Sequence, residues 1–121
     1  MTKVHHAACQ LESQGDGRFR VSGVLDASTV RQVLEESHTL FRGTPQIVVD
    51  LANVSESDSS GLALLLEWLR LGKKESQQIR FEHVPQQIVA LARISEVDDL
   101  LHENGSAAVA QPTAEQNAPS A

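Results

Sequence analysis

Hydrophobic positions along this chain switch between two periods, and each switch marks an element. Ala8 to Ser13 and Arg18 to Leu25 read as short strands joined by Gln14-Gly15-Asp16-Gly17, whose Asp-Gly pair predicts a tight hairpin turn. In the second strand Phe19, Val21 and Gly23 fall on one side and Arg18, Arg20 and Ser22 on the other, the alternation of a sheet with one face more buried. From Asp26 the period lengthens. Val30, Val33, Leu34, and Leu40 or Phe41 form a helical stripe, with Asp26 or Ser28 as the expected cap. Gly43-Thr44-Pro45 closes that helix, since proline cannot continue one and glycine readily ends one.

Ile47-Val48-Val49-Asp50-Leu51 follows as a buried strand, then the polar bridge Ser55-Glu56-Ser57-Asp58-Ser59-Ser60-Gly61, then leucines at helical spacing from Leu62 to Leu71 within a helix running from Ser59 to about Lys74. Ile79 to Glu82 make a further short strand. Pro85 suits the first turn of another helix, which runs through Ile88, Val89, Leu91 and Ala92 to about Ile94, and Val97 to Leu101 close the fold as a strand or helical turn. The order strand, helix, strand predicts parallel pairing of the strands around Val21 and Val48. The expected fold class is α/β, a mixed sheet of about four to five strands packed with about four helices. Residues 1–7 carry little pattern and are expected to be loosely held. Residues 8–102 form one domain. Residues 103–121, rich in Ala, Pro, Asn, Gln and Ser, contain no Lys or Arg and too few large apolar residues to order themselves, so a disordered tail is expected.

The bridge is a strand-to-helix turn. Asp58, Ser59 and Ser60 are all good N-cap types, and the first amides of a helix lack internal partners, so this end holds either a plain cap or a hydroxyl where a phosphate would be tolerated. The helix beyond it has two apolar faces. Leu62, Leu65, Leu66 and Leu69 share the one expected to pack on the sheet; Leu64, Trp68 and Leu71 gather on another. That second face is either covered by the final helix or the tail, or is an exposed partner surface.

Asp58-Ser59-Ser60-Gly61-Leu62, after a strand ending Asp50-Leu51 and before a leucine-rich helix, resembles the signature turn of the STAS domain family. Over Ile47 to Lys74, with Asn53-Val54-Ser55, Asp58, Gly61-Leu62-Ala63-Leu64-Leu65-Leu66 and Gly72-Lys73-Lys74, the chain is most similar to the MlaB type of STAS protein. The resemblance spans residues 9 to 102 in element order. It implies the STAS, or anti-sigma factor antagonist-like, fold and a non-enzymatic subunit that docks on the ATPase (MlaF-like) of a phospholipid-trafficking ABC transporter, in a complex with a permease, supporting outer-membrane lipid asymmetry. Leu64, Trp68 and Leu71 would then contact that partner. Ser60 stands where MlaB-like proteins often have glycine, and Asp-Ser-Ser-Gly is also the form usual in anti-sigma factor antagonists. The alternative implied is therefore a switch in which a serine kinase phosphorylates Ser59 to break binding to an anti-sigma factor.

Composition narrows the field further. Sixteen acidic against ten basic residues give a charge of −6 with no basic stripe, which argues against a nucleic-acid partner. No apolar run approaches the roughly 20 residues of a membrane span, and Met1-Thr2-Lys3-Val4-His5-His6 lacks a signal-peptide core. The expected location is the cytoplasm, peripheral to the inner membrane through the partner, with no direct insertion. Cys9, the single cysteine, sits in a strand and reads as a buried structural thiol. Catalytic and metal sites are not expected, nor any cofactor. Glu56 and Asp58 flank one turn, but residues there usually cap or face solvent. His5-His6, His38, His83 and His102 show no ligand spacing, and there is no Walker A loop, Gly-x-Gly-x-x-Gly motif or nucleophile elbow.

Overall fold

The sheet grows strand by strand from an N-terminal hairpin. In the computed structural model, which describes residues 8–101, β1 (Cys9–Gly15) and β2 (Arg18–Leu25) pair antiparallel with Leu11 opposite Val21. Asp16 and Gly17 both take left-handed backbone angles (φ 54° and 79°), the pair that a tight hairpin demands. Gly17 is needed for space as well, because a Cβ there would stand 2.5 Å from the Gln46 carbonyl oxygen. β3 (Gln46–Ser57) runs parallel to β2, and β4 (Gln78–Glu82) parallel to β3, in the order β1-β2-β3-β4. The expected parallel pairing of β2 with β3 is present, with Arg18 opposite Val48 and Phe19 opposite Val49.

Strand alternation puts Cys9, Leu11, Phe19, Val21, Ile47, Val49, Leu51, Ile79 and Phe81 on one face, all buried. The helices α1 (Val30–Leu40), α2 (Ser59–Lys74) and α3 (Gln86–Ile94) deliver Val33, Leu65 and Ile88 to that same core. A turn of helix at 98–101 adds the buried Leu101. The opposite face stays polar, with Glu12, Arg18 and Arg80 exposed and Arg18 paired to Glu82 at 2.5 Å across β3. An antiparallel edge strand and one-sided alternation make this a mixed α/β sheet covered on one side.

Two local expectations are corrected. Asp26 and Ser28 do not cap α1. The Asp26 carboxylate accepts from the Ser28 backbone N–H (2.9 Å) and hydroxyl (2.6 Å) in a turn of its own, and Thr29 is the N-cap residue. The Thr29 hydroxyl donates to the Val24 carbonyl (2.8 Å), tying the helix start to β2. The polar bridge is also much shorter as a turn than expected: β3 continues through Ser55, Glu56 and Ser57, and Ser59 to Gly61 already belong to α2. Between Arg20 and Ser22, and again between Gly23 and Val24, β3 carries an extra residue relative to β2, so the ladder is re-aimed twice before the turn. The loosely held N-terminus expected for residues 1–7, the domain end expected at residue 102 and the disordered tail expected for residues 103–121 lie outside the described residues.

Candidate functional site

Only Asp58 separates β3 from α2, and it is held from three directions. Its backbone N–H donates to the Leu25 carbonyl (3.2 Å) at the end of β2, its carbonyl accepts from the Gly61 N–H (2.9 Å), and its carboxylate accepts from the Ser60 N–H (2.8 Å). With φ −132° and ψ −160° it is an extended N-cap, the geometry in which a short carboxylate reaches the first helical turn. The helix therefore begins at Ser59.

Gly61 explains why the turn sits flush against the body of the protein. It is buried, and a Cβ there would meet Ile88 Cδ1 at 3.2 Å and Ser57 Cβ at 3.3 Å. A glycine in the first turn of α2 thus lets β3 and α3 close around it. Ser59 faces the other way and is exposed; Ser60 is half-buried. Glu56 and Asp58 are exposed beside Ser59, and among the described residues neither forms an ion pair. The outward stripe of α2 continues from Ser59 through Ala63 and half-buried Glu67 to Arg70. Arg70 donates to both carboxylate oxygens of Glu67 (3.0 and 2.8 Å), which holds the Glu67 carboxyl below its usual range. Spacing alone contained this stripe: residues three and four apart share a helix face.

The second apolar face of α2 is not a surface. Leu64 is 3% exposed and Trp68 1%, while Leu71 is half-buried. Trp68 lies between Phe41 (ring centroids 5.4 Å apart) and Phe81 (6.3 Å, stacked), and its Nε1–H donates to the Ser37 hydroxyl at 2.8 Å. That hydroxyl in turn donates to the Leu34 carbonyl (2.6 Å). Ser37 of α1, Phe41 at the α1 C-cap and Phe81 of β4 supply this cover. The expected exposed patch of Leu64 and Trp68 is thus replaced by core.

Two further titratable groups, Cys9 and Asp50, are set by their packing and hydrogen bonds. Burial pushes the Cys9 thiol up to about 11. Burial also pushes Asp50 upward, but the Ala52 N–H (2.9 Å) and His83 (3.0 Å) outweigh it and hold the carboxyl below its usual range. Among the described residues, no group of three or more His, Cys, Asp or Glu is placed to hold a metal ion, and no helix is long and apolar enough to cross a membrane.

The one-sided mixed sheet and the capped Asp-Ser-Ser-Gly turn define a STAS-type domain. The chain belongs to the family described as Mlab, STAS domain, whose model matches residues 9–102. It is 38% identical over 87 residues to an anti-sigma-B factor antagonist of Staphylococcus aureus (strain NCTC 8325 / PS 47), covering 70% of this chain and 80% of that protein. A protein of the same name from Staphylococcus epidermidis is 37% identical over 87 residues, with the same coverage. Among solved structures, the unphosphorylated anti-sigma factor antagonist SpoIIAA aligns with a TM-score of 0.59 and 23% identity, covering 76% of this chain and 84% of that one, a likeness of fold. A structure of Mglu aligns with a TM-score of 0.53 and 27% identity over 68% of this chain, and the match spans only 21% of the Mglu chain.

Proposed function

We propose that this protein is a non-enzymatic docking subunit that binds and supports the ATPase of a phospholipid-trafficking ABC transporter. The observation that carries this reading is the match of residues 9–102 to the Mlab-type STAS model. With Leu64 and Trp68 in the core, the docking surface is assigned to the turn and the outward stripe of α2: Asp58, Ser59, Ala63, Glu67 and Arg70. This surface is rigid, because the opposite side of the same helix is packed into the core, so little ordering entropy is lost on binding. The test is co-purification with the candidate ABC ATPase of its own host. Ala63→Arg places a long charged side chain in the middle of the stripe and is expected to leave the melting temperature within a few degrees while abolishing co-purification. Undiminished co-purification by folded Ala63→Arg would remove the stripe from the interface.

A second reading is an anti-sigma factor antagonist switched by phosphorylation of Ser59. The 38% identity to anti-sigma-B factor antagonists and the exposure of Ser59 favour it. A phosphoryl group would add about −1.5 to −2 charges next to Glu56 and Asp58. Intact mass measurement on protein from its own host separates the readings: a transporter subunit carries no phosphate on Ser59, and a switch carries a substantial phosphorylated fraction that fails to bind.

A further inference from the structure

Helix α2 presents one side to solvent along its whole length. At 3.6 residues per turn, Ser59, Ala63, Leu66, Arg70, Lys73 and Lys74 fall within an arc of about 100°. Leu66 is half-buried and the other five are exposed, over a run of about 22 Å. The unpaired charges on this side are sorted by end. Glu56 and Asp58 stand exposed at the start and Lys73 and Lys74 at the finish, and among the described residues none of the four forms an ion pair. We propose that this side of α2 pairs antiparallel with the same side of a second copy of the chain, forming a transient two-fold dimer.

Charge complementarity argues for a second copy. A partner surface of one sign is attracted by one end of the stripe and repelled by the other, whereas an antiparallel copy satisfies both ends. Pairing about the midpoint of α2, between Leu66 and Glu67, sets Ser59 and Ser60 against Lys74 and Lys73 of the other copy and brings Glu56 and Asp58 up to the same two lysines. Ala63 then lies opposite Arg70, the small side chain leaving room for the long one, and Arg70 is already neutralised by Glu67 of its own helix. The two Leu66 side chains come together near the two-fold axis, where each loses the exposure it keeps alone. The helix dipole accounts for acid at the start and lysine at the finish, and antiparallel packing sets the two dipoles favourably as well. Glu75, the C-cap residue, does not dilute the basic end, because it lies round the helix at the hollow lined by Phe41 and Trp68. One helix per copy is a small interface, below the about 1,200 Å² of stable complexes, so the dimer is transient. Its consequence rests on the docking reading above: a second copy and the ATPase compete for the same side of α2.

Sedimentation equilibrium on the full chain alone is the test. The parent protein is expected to show a monomer–dimer equilibrium that weakens at least about tenfold between ~0.1 M and ~1 M salt, as the screening length falls from about 10 to about 3 Å. Two reversal variants locate the face. Glu56→Lys with Ser59→Lys makes the acidic end basic, and Lys73→Glu with Lys74→Glu makes the basic end acidic. Each variant alone is expected to be monomeric and an equimolar mixture to form a heterodimer, since every end then meets its opposite. Melting temperatures check that both are folded; if either reversal unfolds the chain, Ala63→Arg, which sets one arginine against another, is expected to abolish the dimer by itself. A monomer at every concentration, a dimer that ignores salt, a dimer that survives in any of these variants, or a mixture that does not pair would each overturn the proposal. Absence of self-association with the ATPase still captured removes the dimer and leaves the docking reading; a salt-sensitive, reversal-sensitive dimer with no capture of the ATPase does the opposite.

Discussion

Replacing Trp68 tests the assignment of the second face of α2 to the core. The indole is 1% exposed, is sandwiched by Phe41 and Phe81, and donates to Ser37. Trp68→Ala removes the largest fully buried side chain and leaves a cavity between α1, α2 and β4, a change that typically costs about 3–5 kcal/mol. Small domains have a total stability of about 5–15 kcal/mol, so this variant is expected to be marginal or unfolded at 37 °C. Trp68→Phe keeps much of the apolar volume but loses the hydrogen bond, which separates packing from polarity at about 1–2 kcal/mol. Ser37→Ala breaks the same bond from the other side. Because both substitutions break one bond, the double variant with Trp68→Phe is expected to lose less than the two single losses added together, by roughly 1 kcal/mol. The assay is urea denaturation followed by far-UV circular dichroism, since the Trp68 variants lack the single tryptophan. A Trp68→Ala protein within about 1 kcal/mol of the parent, with a weakened partner complex, would refute the core assignment and restore the interface reading.

Four further outcomes follow from individual contacts. Gly61→Ala crowds Ile88 and Ser57 and is expected to lose roughly 1–3 kcal/mol by overpacking, offset by up to about 1 kcal/mol of helix propensity; Ile88→Val should recover part of the melting-temperature loss. Asp58→Ala removes the cap of α2 at about 0.5–2 kcal/mol in chemical denaturation, whereas Asp58→Asn, still a good capping residue, should lose much less. Because the Asp50 carboxyl is held below its unfolded value, the stability it gives is present above the unfolded pKa and is lost as pH falls through the folded one, so Asp50→Asn should flatten the acid limb of the stability profile. The Cys9 thiol is shifted the other way, from 9.0 to about 11, so its contribution is complete below pH 9 and declines from there to about pH 11; Cys9→Ala should lessen that alkaline loss, and the native thiol should resist alkylation until the chain unfolds.

Much of the fold was legible because its signals are local. Asp16-Gly17 announced the hairpin, the 3.6-residue spacing announced the helices, and Asp58 was among the caps expected for α2. What escaped depends on neighbours distant in sequence. Polar Ser55-Glu56-Ser57 reads as a turn, yet it is strand because β2 offers Val24 and Leu25 as pairing partners and two bulges absorb the surplus length. Likewise, α2 shows two apolar stripes whether its second face meets solvent or another element. Covering it takes Ser37 from α1, Phe41 at its C-cap and Phe81 from β4, positions between 13 and 31 residues away that periodicity within α2 does not register. The proposed docking stripe was contained in the spacing but not singled out by it: Ala63, Glu67 and Arg70 are ordinary surface residues until burial of the rest of α2 marks the side that remains.

The same packing bears on how partner binding is separated from stability. Helix α2 buries Gly61, Leu62, Leu64, Leu65, Trp68, Leu69 and Gly72, leaving a narrow outward stripe that starts at the capped turn. A substitution on its inner side loosens the helix and, with it, the orientation of Asp58 and Ser59, so it lowers partner affinity and stability together. A substitution on the stripe changes only what the partner meets. Loss of binding in an α2 variant therefore locates the interface only when the melting temperature is unchanged. Ser59→Arg and Ala63→Arg, at exposed positions, are expected to meet that condition, whereas Leu64 and Trp68 variants are not, because both side chains are core. Stripe variants should change affinity with little change in urea midpoint, while inner-face variants should lose both in proportion. Equal correlation of binding with stability for both groups would mean that the partner reads the folded state of the domain and not this face of α2.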